Sequence, residues 1–172
     1  MDIIEKLPHR NIILIGMPAV GKSTLGVLLA KRIGYAFADT DLLIQTGEGT
    51  SLKHMIHDRG TEAFCDLEAR YVRRLSNRRT VIATGGSVIY RSQAMAHLTR
   101  LGTIVFLDIG LNPLARRLKQ LDSRGVVRKP GQTIEQLYAE RRPLYRKYAH
   151  ITVDCSHCTP EEAVLKLLAG IA

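Results

Sequence analysis

Nine residues near the start of the chain, GMPAVGKST at positions 16–24, restrict the fold more than anything else in the sequence. They fit the spacing G-x-x-x-x-G-K-[ST], with Gly16, Gly21, Lys22 and Ser23 in the required places and Ala19 and Thr24 completing the loop. The run NIILI before them is apolar and rich in β-branched residues, as a buried parallel strand requires. After them, Leu25, Leu28, Leu29 and Ile33 recur at helical spacing. A loop of this pattern between a strand and a helix turns successive backbone N–H groups inward, and the helix N-terminus adds positive potential. It is a phosphate cradle. Lys22 is placed to reach β- and γ-phosphates, and the Ser23 hydroxyl to help hold Mg²⁺.

The rest of the chain repeats the strand–helix alternation. Strands are expected at residues 35–41, 80–84, 103–108 and 150–154, after the first at 11–16. A helical region fills residues 42–77, with breaks at 47–50 and near Gly60. Further helices are expected at 91–101, from Asn112–Pro113 onward, at 133–147 with an interruption near Pro143, and at 160–168. The polar stretch 120–132 reads as a mobile loop. Five strands separated by helices make one α/β domain over residues 1–172 with a parallel sheet, whose ligands belong beyond the carboxyl ends of the strands. With 172 residues, 45% of them hydrophobic and no long apolar run, the chain is expected to be soluble. Its first residues lack the parts of a signal peptide, so a cytoplasmic location with three reduced cysteines is expected. The net charge of +9 suits either a solvated basic surface or a field that attracts anionic substrates.

Polar residues collect where the strands end. Asp39 could hold Mg²⁺ through water, and Asp41 could accept or orient the proton of an attacking hydroxyl. Both could equally cap the helix that they open. Gly85–Gly86 suits a plain turn or a close approach of backbone to a substrate. Cys155 and Cys158 have C-x-x-C spacing, but no second pair exists to complete a zinc site. His54 and His57 read as surface histidines. With nine Phe and Tyr and no Trp, no stacking pattern for nucleic acid is present.

Taken in order, the cradle, the D-T-D after the second strand, GTEAFCDLE, TGGSV after the third strand, ERRPLYRKYA and the final VD…P resemble the shikimate kinase family over residues 11–169. That resemblance implies a small P-loop enzyme with sheet order 2-3-1-4-5 that uses ATP and Mg²⁺. Such enzymes move the γ-phosphate of ATP onto a hydroxyl of shikimate, and this one is expected to act as a monomer without nucleic acid or membrane partners. The resemblance further implies an acceptor-binding region at about 42–77 and a lid at about 119–132. Ser23 and Asp39 would sit at magnesium, Asp41 at the acceptor hydroxyls, and Arg124 in the lid on the transferring phosphate. Arg117 and Pro160 would sandwich adenine, and Arg141 would take the acceptor's carboxylate. The departures lie in the acceptor half. Cys65 stands where the family has a second carboxylate-binding arginine, three glycines are reduced to Gly85–Gly86, Ala19 replaces a glycine, and Arg124 precedes Gly125 rather than proline. A different small hydroxy acid or hydroxy amino acid such as homoserine, with Asp66 meeting its ammonium group, is the alternative acceptor. A nucleotide-binding regulator without turnover is the alternative of another class.

Overall fold

The computed structural model describes residues 10–119 and 126–172. Strand β1, Asn11–Ile15, is buried along its whole length, as its unbroken apolar run demands of a central parallel strand. It pairs with β3, Thr80–Ala83, on one side and β4, Gly102–Asp108, on the other. Strand β2, Ala36–Asp39, forms the edge beside β3, and β5, Ile151–Asp154, the edge beside β4. All pairings are parallel and the sheet order is β2-β3-β1-β4-β5, as the sequence leads one to expect.

Seven helices are described: α1 Lys22–Ile33, α2 Thr40–Glu48, α3 Leu52–Arg73, α4 Ser92–Leu101, α5 Leu111–Lys119, α6 Ile134–Tyr148 and α7 Pro160–Ile171. A short 3-10 turn, Val88–Tyr90, follows β3. Helix α3 bends at Gly60, where the expected break falls. The expected interruption at Pro143 does not occur. Helix α6 runs unbroken through it, because three contacts on either side of the proline hold the helix to the sheet and to the turn after β3. The guanidinium of Arg142 binds Asp108 at the end of β4 through Nε at 2.9 Å and Nη2 at 2.7 Å. The Tyr145 hydroxyl donates to the Gly86 carbonyl at 2.6 Å, and its ring stacks on Phe106 with centroids 5.2 Å apart.

Two apolar clusters result. The larger one joins the sheet to α1, α4 and α7. The smaller comprises Ile44, Met55, Phe64, Cys65, Leu67 and Val127, with Leu52, Ile56, Tyr71 and Tyr90 around it. Among the described residues no helix is long and apolar enough to cross a membrane.

Candidate active site

The cradle leaves β1 through Gly16, whose φ of 148° only glycine adopts freely. A Cβ there would also come 2.7 Å from the Leu107 carbonyl oxygen. Ala19 lies in the left-handed region at φ 67°, which explains physically why a glycine is the easier residue at that place. Lys22 is buried, and its ammonium donates to the Gly16 and Met17 carbonyls at 2.8 Å each. Burial lowers its pKa to about 8, partly opposed by Asp41. Ser23 donates from its hydroxyl to Asp39 Oδ2 at 2.6 Å. Asp39 also caps α2, its Oδ1 accepting from the Asp41 and Leu42 amides. Capping and site placement therefore coincide in one carboxylate. A hydroxyl and a carboxylate oxygen side by side next to a phosphate cradle form the hard oxygen donor set that Mg²⁺ takes, so these residues fit the ion.

A cleft of about 190 Å³ opens beyond the cradle, between Val20, Gly21, Thr24, Arg117, Cys155 and Pro160. Arg117 and Pro160, some forty residues apart in sequence, thus face one cavity, and Arg117 is steadied by donating to the Val20 carbonyl at 2.9 Å. Cys155 and Cys158 border the same cleft. Both are free thiols, burial raises the Cys155 pKa to about 12, and no cluster of metal ligands exists among the described residues.

On the other side of Lys22, the ends of β2 and β3 bring Asp41, Gly85 and Gly86 together. The Gly85 amide donates to Thr40 Oγ1 at 3.0 Å. A Cβ built on Gly85 would collide with Glu68 Oε1 and come 2.8 Å from Asp41 Oδ1. One on Gly86 would lie 3.0 Å from Arg141 Nη1. These glycines therefore let the chain's own Glu68, Asp41 and Arg141 side chains approach the turn closely. Arg141 is almost wholly buried. Its Nε donates to the Tyr90 hydroxyl at 3.0 Å, its Nη2 donates to the Val127 carbonyl, and its plane lies over the Tyr90 ring. Cys65 is buried in the smaller cluster and also borders a second cleft of about 320 Å³ with Tyr90, Arg91, Val127 and Glu140. Burial, followed by the nearby Glu68, raises its pKa to about 11, so it is an inert thiol. Asp66 already has a cationic partner. Its exposed carboxylate accepts from Arg91 Nε at 2.7 Å on the outer face of α3. Arg124 lies outside the described residues.

Two groups escaped the sequence reading. Tyr145 ties the Gly85–Gly86 turn to α6, and nothing local in the sequence marks that bond. Glu68 is the other. It is 1% exposed, its Oε2 accepts from the Ser87 hydroxyl at 2.6 Å, and Oε1 has no partner among the described residues. An acidic residue on the apolar face of α3, four residues after Phe64, was the available signal.

Comparison with known proteins converges on one family. A family model described as shikimate kinase matches residues 18–172. The shikimate kinase of Thermodesulfovibrio yellowstonii is 35% identical over 162 residues, covering 92% of this chain and 93% of that one. That of Microcystis aeruginosa is 37% identical over 164 residues, covering 94% and 86%. A solved structure of shikimate kinase from Acinetobacter baumannii in complex with shikimate superposes with a TM-score of 0.87 at 27% identity, covering 97% of this chain and 95% of its own.

Proposed function

Because the chain belongs to the shikimate kinase family, an ATP-dependent kinase family that works with Mg²⁺, we propose that it phosphorylates a hydroxyl of shikimate with the site just described. The observation that carries this reading is the convergence of Lys22 of the phosphate cradle, Asp41 and Arg141 beside Gly85 and Gly86 at the strand ends. The cleft between Arg117 and Pro160 takes adenine, and the nucleotide phosphates run along residues 16–24 to Lys22 and Thr24. Ser23 and Asp39 hold Mg²⁺, which neutralises phosphate charge. The acceptor sits against Gly85 and Gly86, with its carboxylate on the Arg141 guanidinium, whose planar fork matches that group. Asp41 takes the hydroxyl proton as the oxygen attacks the γ-phosphorus in line. To Arg124 falls the negative charge of the transferring phosphate, as the resemblance implies. The large burial of Arg141 strengthens its pull on a carboxylate, since water competes little there.

Coupled measurement of ADP release with shikimate tests the reading, alongside a panel of hydroxy acids and hydroxy amino acids that includes homoserine. Shikimate-dependent release that Lys22→Ala reduces by at least about a hundredfold, without loss of fold by circular dichroism, is the expected result. Faster turnover of another panel member would replace shikimate as acceptor. Absence of release with every member would make the chain a nucleotide-binding regulator.

A further inference from the structure

Arg141 carries its N–H groups in one rigid plane, and two of its nitrogens are engaged by the protein. Nε donates to the Tyr90 hydroxyl at 3.0 Å, and Nη2 to the Val127 carbonyl. Nη1 is the nitrogen that lies beside Gly86. The bond at Nε thus decides which edge of the fork faces the glycine turn. A guanidinium can only donate, so the Tyr90 oxygen is the acceptor and its single proton must go elsewhere. It goes to Glu140 Oε1 at 2.5 Å. Tyr90 therefore stands between two consecutive residues of α6 whose opposite charges would otherwise draw them together. Glu140 makes no ion pair with Arg141 itself. Its oxygens are taken by Tyr90, by Gln132 at 2.8 Å and by Lys129 at 3.5 Å, and the Tyr90 bond above all holds its carboxyl below the usual range.

The Tyr90 ring supports the same arginine from below. The Arg141 guanidinium lies over it, 5.0 Å from the centroid, while the ring packs on the small apolar cluster and borders the second cleft beside Cys65. With Cys65 where the resemblance places a second arginine, the acceptor's carboxylate depends on Arg141. A carboxylate in the place of the phenol would anchor that arginine firmly but cancel its charge. A phenol anchors it and leaves the charge for the substrate. We propose that Tyr90 is a positioning residue for acceptor recognition: it fixes the Arg141 fork toward the acceptor's carboxylate and keeps Glu140 from neutralising it. This role rests on the phosphoryl-transfer reading above, and Tyr90 reaches the substrate only through Arg141. Selectivity follows from it. An acceptor bearing a carboxylate gains from the arrangement, whereas a neutral one of the same shape does not.

The test compares the full parent chain, Tyr90→Phe and the double variant Tyr90→Phe/Glu140→Gln in steady-state kinetics. The acceptors are shikimate and the analogue whose carboxylate is replaced by a neutral carboxamide. Phenylalanine keeps the ring under Arg141 and removes only the hydroxyl, so Tm should hold. Without that hydroxyl, Glu140 is released to draw the guanidinium toward itself. The KM for shikimate should then rise about tenfold in Tyr90→Phe, with the KM for the carboxamide, the KM for ATP and kcat unchanged. Adding Glu140→Gln removes the competing charge and should bring the KM for shikimate back to within about threefold of the parent value. A Tyr90 that merely packs would raise the KM of both acceptors together and gain nothing from the second substitution. Either of those results, or a KM for shikimate that Tyr90→Phe leaves alone, overturns the proposal. A parent chain that turns over neither acceptor, or both with the same KM, overturns the reading of Arg141 as the carboxylate's ligand, and the role of Tyr90 falls with it.

Discussion

Glu68 carries a stability consequence that needs no substrate. Its folded pKa, raised to about 7 by burial and by Asp41, exceeds the unfolded value of a glutamate near 4.5. The folded state therefore binds more protons between those two values. The contribution is fully present below the unfolded pKa and is lost as pH rises through about 7. Thermal unfolding of the parent chain should accordingly lose Tm from pH 5 to pH 8 relative to Glu68→Gln, at about 2–4 °C per kcal/mol for a chain of this size. Parallel Tm-versus-pH curves would contradict this. Three residues back, Cys65 poses the complementary case. An arginine at that position would bring a guanidinium to the unsatisfied Glu68 oxygen and a second cation to the acceptor's carboxylate, at the expense of the Val127 contact. Cys65→Arg should lower the KM for shikimate about tenfold, equivalent to about 1.4 kcal/mol, and pull the Glu68 titration downward. Unchanged kinetics on shikimate and on the whole panel would show that position 65 does not face the acceptor.

Helix α6 owes its position to Asp108. Asp108 is 6% exposed, and its carboxylate takes both arms of Arg142, with Arg146 adding a third contact at 3.3 Å. Asp108→Asn keeps the shape but removes the charge, so the helix should shift and carry Arg141 with it. The expected outcome is a loss of about 2 kcal/mol in urea unfolding and a KM increase confined to the acceptor, since the nucleotide contacts lie on α1, α5 and α7. An equal rise in the KM for ATP would show that Asp108 supports the sheet generally. The strands and the cradle were legible in the sequence because each rests on a local period or a fixed spacing, as NIILI before GMPAVGKST illustrates, whereas the strand order came only from the family resemblance. The anchoring of α6 was not, since Asp108–Arg142 and Gly86–Tyr145 join residues 34 and 59 positions apart with no periodic trace. For the same reason Pro143 read as a break: local propensity forbids a mid-helix proline, and only tertiary contacts on either side override it. Asp66 turns the opposite way. Its neighbour Cys65 faces inward, and a one-residue step around α3 turns Asp66 out to Arg91.

At the scale of the molecule, the net charge of +9 acts on two anionic substrates at once. Their encounter should be screened by salt, so kcat/KM for each should fall severalfold between about 0.05 and 0.5 M monovalent salt while kcat changes little. A flat response would leave the basic surface without a kinetic role. The two apolar clusters have a different consequence. Met17 and Val20 of the cradle belong to the large cluster with the sheet, whereas Cys65, Phe64, Met55 and Val127 belong to the small one. No residue of the cradle belongs to the small cluster, so substitutions there should bear first on the acceptor side. A lineage carrying this fold can thus inherit its means of activating ATP unaltered while the identity of the molecule it phosphorylates drifts, and a duplicated gene for such a chain begins its divergence with only one half of the enzyme to reinvent.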